Sequence, residues 1–511
     1  MWIACADRCR EIDRRAAAEF GLTPAVLIER AGDSSARLVR ELLPEGGKVV
    51  IFCGKGNNGA DGLALARTIQ GEFTIEVLLV SEPNELSPDA AVQYEATSKS
   101  GVQVLTPCSP NHGHVLQTLG QFDLIVDALL GTGASGEVRG TVRGAILAIN
   151  KSGVPVLSLD VPSGIETDTG HELGESIWAL KTITFGLPKP CFFQGTGLEH
   201  AGYWEVDPIG FPNELLSEDT GIWLSQQEFV RQCLPERHRG GHKGDHGSVL
   251  IVAGCKNMPG AAVLAARAAL RAGAGLVTVA SIPSVLEAVA AQVPEALLMH
   301  LPERFGTISP EAAKHVLEAQ QRVDSAVFGP GLTTSESVLN LLADIWPQWN
   351  RPSVIDADAL NAVSEGVPLP SCPRILTPHP GEAARLLRLS TAEVQIDRFA
   401  AVNMLATAFG ETIILKGAYS LVATPECSIV VNPTGNEGMG SGGMGDVLSG
   451  LLGTLLAQDL PPRCSAVCGA YWHGLAGDLC ASGIGSFGFL ASEVADALPL
   501  ARAKITQSCE D

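Results

Sequence analysis

Short apolar runs alternate with longer amphipathic stretches along the chain. Residues 7–19 and 24–43 carry apolar positions at helical spacing with charges between them, which predicts two amphipathic helices. The period changes at 48–53, a continuous apolar run typical of a strand that is buried on both faces of a parallel sheet. A helix is predicted at 63–70, and similar strand-like runs follow at 74–80, 123–128, 155–161 and 182–187. This alternation predicts a doubly wound α/β layer domain.

A second series of alternating elements begins near the middle of the chain. After a strand-like run at 202–206, residues 211–220 are polar and lack periodicity, so we place a domain boundary there. The predicted domains are residues 1–217 and 222–508. An alanine-rich helix is predicted at 260–273, and buried strands are predicted at 248–254, 276–280, 325–328, 353–356, 374–378, 412–415 and 428–431. The second half is therefore a second and larger α/β layer domain.

The segment from Gly438 to Asp446 contains five glycines in eight residues and runs into the apolar stretch 447–456. The glycines free the backbone to turn its amide hydrogens toward one point, and the apolar stretch has the length and spacing of a buried helix. Unpaired donors at a helix N-terminus attract anions, so the pattern indicates a phosphate-transfer centre with Asp446 at its edge. A flexible linker or a plain helix cap are the alternatives at this point.

Composition narrows the class of partners. The net charge of −21 and a pI near 4.9 disfavour binding to nucleic acid or to an anionic membrane. Thirteen cysteines without a Cys-x-x-Cys pair indicate neither a disulfide framework nor a zinc ribbon. No segment has the pattern of a signal peptide or of a transmembrane span, and we expect a cytoplasmic protein.

Polar residues follow three predicted strands of the first half. Asn58, Asp127, Asp160 and Ser163 each lie at a strand's carboxyl end, where α/β sheets bind ligands. Each taken alone is more typical of a turn or a helix cap. The four together favour a binding site.

These loops resemble the NAD(P)H-hydrate epimerase domain. The signatures are Asn57-Asn58-Gly59-Ala60-Asp61-Gly62, Asp127 with Gly131-Thr132-Gly133, and Asp160-Val161-Pro162-Ser163-Gly164. The resemblance implies a catalytic Asp160 beside the hydrated ring and a potassium ion (K+) on Asn58, Asp127 and Ser163. It also implies that substrate contacts Asn57, Asn58, Gly59, Ala60, Asp61, Gly131, Thr132, Gly133, Ala134, Ser135, Gly136, Glu137 and Asp160.

The first half departs from that family in two places. Ala60 stands where the family usually has a second glycine, which would reduce the freedom of the loop. Some relatives carry a lysine in the Gly-Thr-Gly loop, whereas residues 134–139 contain none. The partner of Asp160 in proton transfer stays open, with water or Arg139 as alternatives.

The strand-end loops of the second half are 329–331, 356–360, 377–382, 416–417 and 438–446. In this order they resemble the ADP- or ATP-dependent NAD(P)H-hydrate dehydratases, which have a ribokinase-like fold. The resemblance implies that Gly331, His379 and the acid/base residue Asp446 contact the hydrated dinucleotide. It places the adenine nucleotide on Lys416, Gly417, Ala418, Tyr419, Ser420 and Gly445.

The two resemblances together cover nearly the whole chain and match the bifunctional NAD(P)H-hydrate repair enzymes. They imply a Rossmann-like doubly wound α/β layer domain followed by a ribokinase-like α/β domain. The substrates would be hydrated NADH and NADPH (NADHX and NADPHX) with ADP, the cofactors K+ and Mg2+, and the assembly a homo-oligomer. The alternative is a ribokinase-like small-molecule kinase that carries a non-catalytic nucleotide-binding domain at its N-terminus.

Overall fold

The computed structural model describes residues 1–507 and divides into two compact units, Met1–Ile222 and Trp223–Asp511. Each unit contains its own parallel sheet and its own buried apolar clusters. The predicted end of the second domain, residue 508, lies outside the described residues. Within residues 1–507, no helix is both long and apolar enough to cross a bilayer.

The first unit is built on a seven-stranded parallel sheet in the order β3-β2-β1-β4-β5-β6-β7. The order reverses beside β1, which opens a crevice at the carboxyl ends of the central strands. The strand β3 is a two-residue element that the apolar pattern did not reveal. The strands are β1 (Lys48–Cys53), β2 (Thr74–Leu79), β3 (Val104–Leu105), β4 (Leu124–Ala128), β5 (Val156–Leu159), β6 (Lys181–Phe185) and β7 (Tyr203–Asp207).

Helices cover both faces of this sheet, in agreement with the buried pattern of its strands. The helix behind β1 begins at Asn57 and not at residue 63 as predicted, so the asparagine-glycine segment forms its first turns. The helices are α1 (Ala6–Phe20), α2 (Pro24–Leu42), α3 (Asn57–Thr68), α4 (Pro88–Lys99), α5 (His112–Gln117), α6 (Gly140–Ser152), α7 (Gly197–His200) and α8 (Asn213–Leu216).

The second unit contains a ten-stranded sheet in the order β11-β10-β9-β14-β15-β16-β17-β18-β19-β8. The strands from β11 to β17 are parallel, and β18 is antiparallel to both of its neighbours. A separate two-stranded hairpin is formed by β12 and β13. The strands of both sheets are β8 (Ile222–Leu224), β9 (Ser248–Val252), β10 (Leu276–Ser281), β11 (Leu297–His300), β12 (Glu303–Arg304), β13 (Thr307–Ile308), β14 (Ser325–Phe328), β15 (Ser353–Ile355), β16 (Arg374–Leu376), β17 (Thr412–Leu415), β18 (Leu421–Ala423) and β19 (Ile429–Val431).

The glycine-rich segment leads into α18, which begins at Met444 rather than at residue 447 as predicted. Gly445 and Asp446 therefore lie in its first turn. This helix is buried over nearly its whole length between the sheet and α10, α19 and α20. The helices are α9 (Gln227–Cys233), α10 (Pro259–Ala272), α11 (Pro283–Gln292), α12 (Ala313–Ala319), α13 (Glu336–Ile345), α14 (Asp358–Ser364), α15 (Pro380–Leu387), α16 (Thr391–Ile396), α17 (Arg398–Phe409), α18 (Met444–Ala457), α19 (Pro462–Gly483) and α20 (Ala491–Thr506).

Candidate functional site

The first unit has a cavity of about 500 Å³ at the carboxyl ends of β1, β4, β5 and β6, which we call the N-terminal cavity. Loops after these four strands supply Asn57, Asn58, Gly131 to Ala134, Asp160 and Lys189. Residues of α1 and α2 supply another wall. A cleft of this size, with convergent polar groups among apolar ones, is typical of a small-molecule site.

Asp160 and Lys189 form a buried ion pair in the N-terminal cavity. The Lys189 ammonium donates to Asp160 Oδ1 at 2.6 Å, to Thr184 Oγ1 at 2.7 Å and to the Phe185 carbonyl at 2.8 Å. Burial alone would lower the pKa of Lys189, but Asp160 outweighs it and the pKa is raised. The backbone of Asp160 is left-handed (φ 66°), a conformation that non-glycine residues adopt at a cost and that is concentrated at functional sites. Lys189 thus lies next to Asp160, where residues 134–139 supply no lysine.

Two more carboxyl groups face the same cavity. Asp61 of α3 is buried, and burial together with repulsion from Asp160 and Asp13 raises its pKa well above the ordinary value. Asp13 of α1 is open to solvent in the cavity but is otherwise surrounded by protein. Burial and repulsion from Asp160 raise the pKa of Asp13 to about 6, although Lys189 opposes this. Asp13, Asp61 and Asp160 thus place three carboxyl groups around the Lys189 ammonium.

Beneath the cavity, the predicted metal ligands lie together. The Asp127 carboxylate accepts from Ser163 Oγ at 2.6 Å, from the Ser163 amide at 2.9 Å, from Ser158 Oγ at 2.8 Å and from the Leu129 amide at 3.2 Å. Asn58 Nδ2 donates to the Leu130 carbonyl at 2.8 Å, while the buried Asn58 Oδ1 has no hydrogen-bond partner within residues 1–507. An unpaired buried carbonyl oxygen, with carboxylate and hydroxyl oxygens of the same site, is a ligand set that suits a cation.

The predicted substrate residues fall into two groups. Those that line the cavity are Asn57, Asn58, Asp61, Gly131, Thr132, Gly133, Ala134 and Asp160, whereas Gly59, Ala60, Ser135, Gly136 and Glu137 do not. Gly59 is required for packing, because a methyl group there would lie 1.9 Å from the Gly54 carbonyl oxygen. Ala60 is buried inside α3 next to Ile28 and Ala64, so its methyl group packs in the core and restricts no loop.

In the second unit, side chains at the ends of β15, β16 and β17 meet at Asp356, and we call this cluster the C-terminal site. The buried Asp356 carboxylate accepts from Lys416 Nζ at 2.8 Å, from Thr377 Oγ1 at 2.7 Å and from Ser449 Oγ at 2.7 Å. Burial opposes its charge, but Lys416 and the two hydroxyl groups hold its pKa below the ordinary value. Burial alone would lower the pKa of Lys416, but Asp356 and Glu382 raise it. The pair is therefore charged.

Asp446 faces this pair from the first turn of α18. Burial, with repulsion from Asp356 as the next cause, raises the pKa of Asp446 to about 7, although Lys416 opposes the shift. Gly445 keeps the approach open, because a methyl group there would lie 3.3 Å from Lys416 Nζ. A carboxyl group that titrates near neutrality, at a helix N-terminus with free amides, suits proton transfer next to a phosphate.

The loop after β14 borders the C-terminal site through Asp358. Gly331 has a left-handed backbone (φ 63°), and the Thr333 amide donates to Asp358 Oδ2 at 2.7 Å. Asp358 in turn contributes to the raised pKa of Asp446. Ala357 lies between Asp356 and Asp358, just after β15, and its φ is also positive (48°). A non-glycine residue with positive φ thus lies at this site, as Asp160 does in the N-terminal cavity.

His379 caps α15 at the edge of the C-terminal site. Its Nδ1 accepts from the Gly381 amide at 3.0 Å, and Glu382 Oε2 accepts from the His379 amide at 2.8 Å. Glu382 lies 3.8 Å from Lys416 Nζ, which ties this cap to the Asp356 cluster. Half of the His379 side chain is exposed, so its ring is available to a ligand.

The segment 416–420 turns away from β17 in a conformation that a buried arginine holds. Arg398 donates to the Ala418 carbonyl at 2.5 Å and to the Tyr419 carbonyl at 3.4 Å. Gly417 (φ 142°) and Tyr419 (φ 49°) both have positive φ, and Ser420 Oγ donates to the Gly417 carbonyl at 3.1 Å. Arg398 is 4% exposed, so its position is fixed by packing.

Sequence reasoning did not single out four groups that the structure brings into these sites: Asp13, Lys189, Asp356 and Arg398. The signal for Lys189 was present, because Gly186 to Pro190 follows a predicted strand just as the chosen loops do. Asp356 was likewise part of a strand-end loop. Asp13 and Arg398 lie on helices, and only tertiary packing brings them to a strand edge.

Family models match both halves of the chain. Residues 24–191 match the YjeF-related protein N-terminus, and residues 249–500 match NAD(P)H-hydrate dehydratase. The N-terminal cavity belongs largely to the first match, and the Asp356 cluster lies within the second.

Curated relatives match over almost their full length. Bifunctional NAD(P)H-hydrate repair enzyme Nnr of Moorella thermoacetica is 37% identical, over 100% of this chain and 98% of its own. The protein of the same name from Escherichia coli is 35% identical, over 97% of this chain and 92% of its own. Among solved structures, a ribokinase-like superfamily protein from Enterococcus faecalis is 26% identical with a TM-score of 0.51, covering 57% of this chain and 99% of its own.

Proposed function

The chain belongs to the family of bifunctional NAD(P)H-hydrate repair enzymes, and we propose on this premise that residues 1–217 form the epimerase and residues 222–508 the ADP-dependent dehydratase. The enzyme interconverts the R and S forms of NADHX and NADPHX and dehydrates the S form to NADH or NADPH. The observation that carries the assignment of the second site is Asp446, whose pKa is raised to about 7 beside a charged Asp356–Lys416 pair.

Dehydration requires a better leaving group than hydroxide. The ring hydroxyl attacks the terminal phosphorus of ADP, Asp446 accepts the hydroxyl proton, and AMP departs. The C–O bond then breaks with release of phosphate, and loss of a ring proton restores the nicotinamide. A base with a pKa near 7 is ionised often enough to accept the first proton and acidic enough to release it afterwards.

The adenine nucleotide is proposed to bind along 416–420 and at the N-terminus of α18. The Gly445 amide and the neighbouring amides of the first turn, which no side chain caps, would donate to a phosphate, and each charge-assisted hydrogen bond contributes about 1.5 to 3 kcal/mol. Gly331 and His379 contact the hydrated dinucleotide in this proposal. The half-exposed ring of His379 and the left-handed turn at Gly331 support these contacts.

Mg2+ enters this proposal with ADP. Magnesium is usually bound by one or two carboxylates and by substrate phosphates while it keeps several waters. Asp358, which is close enough to Asp446 to raise its pKa, would be the carboxylate that holds the ion, since Asp446 is the proposed base and Asp356 already accepts from Lys416, Thr377 and Ser449. When bound, the ion neutralises charge on the transferred phosphoryl group.

K+ is the proposed cation of the first domain, held by Asn58, Asp127 and Ser163. The unpaired Asn58 Oδ1 supports this assignment, as do the hydroxyl oxygen of Ser163 and the carboxylate of Asp127. The ion would fix the loops after β1, β4 and β5 around the cavity. In residues 1–507 there is no group of three or more His, Cys, Asp and Glu side chains suited to a metal.

In the N-terminal cavity, Asp160 and Lys189 are the proposed acid/base pair of epimerisation. The pair faces a cavity that Asn57, Asp61 and Gly131 to Ala134 also line, and these are the proposed substrate contacts. The remaining candidates do not line the cavity, and in this proposal they position the segments that do: Gly59, Ala60, Ser135, Gly136 and Glu137.

The proposed compartment is the cytoplasm. The twelve described cysteines are all free thiols, which supports this proposal.

One assay with the full chain tests both assignments. Purified R and S forms of hydrated NADH are incubated separately with ADP and Mg2+, and nicotinamide absorbance and free phosphate are followed. We expect Asp446→Asn to bind ADP normally but to lose dehydration by at least about 100-fold. We expect Asp160→Asn to consume the S form while leaving the R form unused, apart from spontaneous epimerisation.

The outcomes separate the competing functions. Accumulation of a stable phosphorylated product without recovery of absorbance would support a small-molecule kinase instead. Equal consumption of both forms by Asp160→Asn would show that the first domain is not the epimerase. Substantial turnover by Asp446→Asn would refute its role as the base.

A further inference from the structure

The helix α1 presents a titratable side chain to the N-terminal cavity from outside the strand-end loops. Cys9, Arg10, Ile12 and Asp13 of this helix all line the cavity. Asp13 is open to solvent within it, and its carboxylate makes no hydrogen bond or ion pair within residues 1–507. Neighbouring acidic residues of α1 differ in this respect, since Asp7 pairs with Arg10 and Glu11 with Arg8 at the surface.

The geometry of the reaction requires a group in such a position. The ring carbon that inverts carries both a hydroxyl group and the ring nitrogen, so it can lose water to form a C=N iminium ion. Inversion then requires that water leave from one face and return to the other. Groups on one wall of the cavity can assist only one of these two events.

We propose that Asp13 is a second acid/base residue of the epimerase, acting on the ring face opposite the one that Asp160 and Lys189 serve. This inference rests on the proposed function of the first domain. Asp13 and Asp160 belong to different walls of one cavity, one to a helix and the other to the end of β5.

The charges around Asp13 are consistent with this role. The charged groups that influence it are Asp160, which raises its pKa, and Lys189, which lowers it, and Asp13 in turn raises the pKa of Asp61. The Cys9 thiol on the same helix has a pKa of about 12 because it is buried, so it stays neutral. Burial, together with repulsion among the carboxyl groups around Lys189, favours the protonated form of Asp13 and of Asp61, so each can act as an acid as well as a base.

The proposed step balances in atoms and charge. One carboxyl group donates its proton to the departing hydroxyl group, which leaves as water while the nitrogen lone pair forms the C=N bond. A water molecule adds to the other face of that carbon, and the second carboxylate accepts its proton. The reverse reaction exchanges the two roles, and no oxidant or reductant takes part.

The test compares Asp13→Asn with Asp7→Asn in the full chain. Asp7 is a matched control, because it lies on the same helix with its side chain 87% exposed and outside the cavity. We expect Asp13→Asn to interconvert the two forms about 100-fold more slowly than the control, with an unchanged KM and unchanged dehydration of the S form. Formate should partly restore the rate of Asp13→Ala, which a structural role would not allow.

A label identifies the route. In water enriched in oxygen-18, wild-type enzyme without ADP should place one labelled oxygen on the ring carbon for each inversion. Inversion without label would overturn the proposed step, and an Asp13→Asn rate within twofold of the control would overturn the role of Asp13. If wild-type enzyme does not exceed the spontaneous rate, the proposed function of the domain fails instead.

Discussion

Asp446 should give the dehydration reaction a distinct pH dependence. Its pKa of about 7 lies above the ordinary 3.8 because burial and Asp356 both disfavour the carboxylate. A base acts only when ionised, so kcat/KM for dehydration should fall about tenfold per pH unit below pH 7 and reach a plateau above it. Initial rates with the S form between pH 5 and 9 measure this. A flat profile down to pH 5 would contradict the role.

The residual activity of Asp446→Asn provides the control for this profile. Its kcat/KM should not fall below pH 7 in the way that of wild type does, because the titrating carboxyl group has been removed. If the fall persists in that variant, another group such as Glu382, whose pKa is also raised by burial, governs the profile.

At the level of single residues, sequence reasoning identified most of the groups in strand-end loops, although it passed over Lys189 and Asp356 there. It missed both groups that lie on helices, Asp13 and Arg398. Asp160 follows a strand and Asp446 follows a glycine-rich turn, so the neighbouring residues in the chain indicate both of them. Asp13 lies on an ordinary amphipathic helix, and nothing in its local pattern indicates which cavity it faces. Only the packing of α1 against the strand ends decides this.

At the level of elements, the apolar runs predicted the central strands well and the glycine-rich helix starts poorly. The helices α3 and α18 begin six and three residues earlier than predicted, at Asn57 and Met444. Glycine lowers helix propensity, so a first turn rich in glycine looks like a loop. Contacts override this preference, as at Gly59 against the Gly54 carbonyl. Six strands were missed, namely β3, β8, β11, β12, β13 and β18, because runs of two to four residues carry little periodicity.

The contact between α17 and segment 416–420 should control nucleotide affinity. Arg398→Met removes the donors to the Ala418 and Tyr419 carbonyls while keeping an unbranched side chain. Because hydrogen bonds from a charged group contribute about 1.5 to 3 kcal/mol, we expect KM for ADP to rise about tenfold or more with kcat less affected.

Two variants accompany this measurement. Asn403→Ala lies on the same helix at an exposed position and should leave KM for ADP unchanged. Arg398→Lys retains the charge but not the planar pair of donors, so it should give an intermediate value. A fall in kcat with constant KM would show that the segment does not bind the nucleotide.

At the level of the whole molecule, the two α/β units and their sheets followed from the alternation of periods. The surface through which copies of the chain would associate could not be predicted in this way, because the pattern of one strand does not show which edge of the sheet is left uncovered. In the second sheet that edge is β11, where Leu297 is 52% exposed and Leu298 39% exposed. Phe305 in the adjacent hairpin is 93% exposed. Apolar side chains along a sheet edge favour pairing with another copy.

We therefore expect a homo-oligomer that forms through β11. Light scattering should give a mass of at least twice that of one chain, and the double substitution Leu297→Lys with Phe305→Ser should reduce it to one. Val92→Ser removes an exposed apolar side chain from α4 and should leave the mass unchanged. A monomeric wild-type protein would contradict this expectation.

The raised pKa of Asp446 has a consequence for the life of the protein in a cell. Its folded pKa lies above 3.8, so stability falls as pH rises from about 4 to 7 and the loss is complete above pH 7. At pH 8 the free energy of unfolding of Asp446→Asn should therefore exceed that of wild type by about 1 to 2 kcal/mol, which thermal melting would show as a higher melting temperature, with little difference at pH 4. Proteases and chaperones remove proteins that unfold, and this variant would unfold less. A mutation that abolishes repair would then leave protein abundance intact, and only an assay of activity would reveal it.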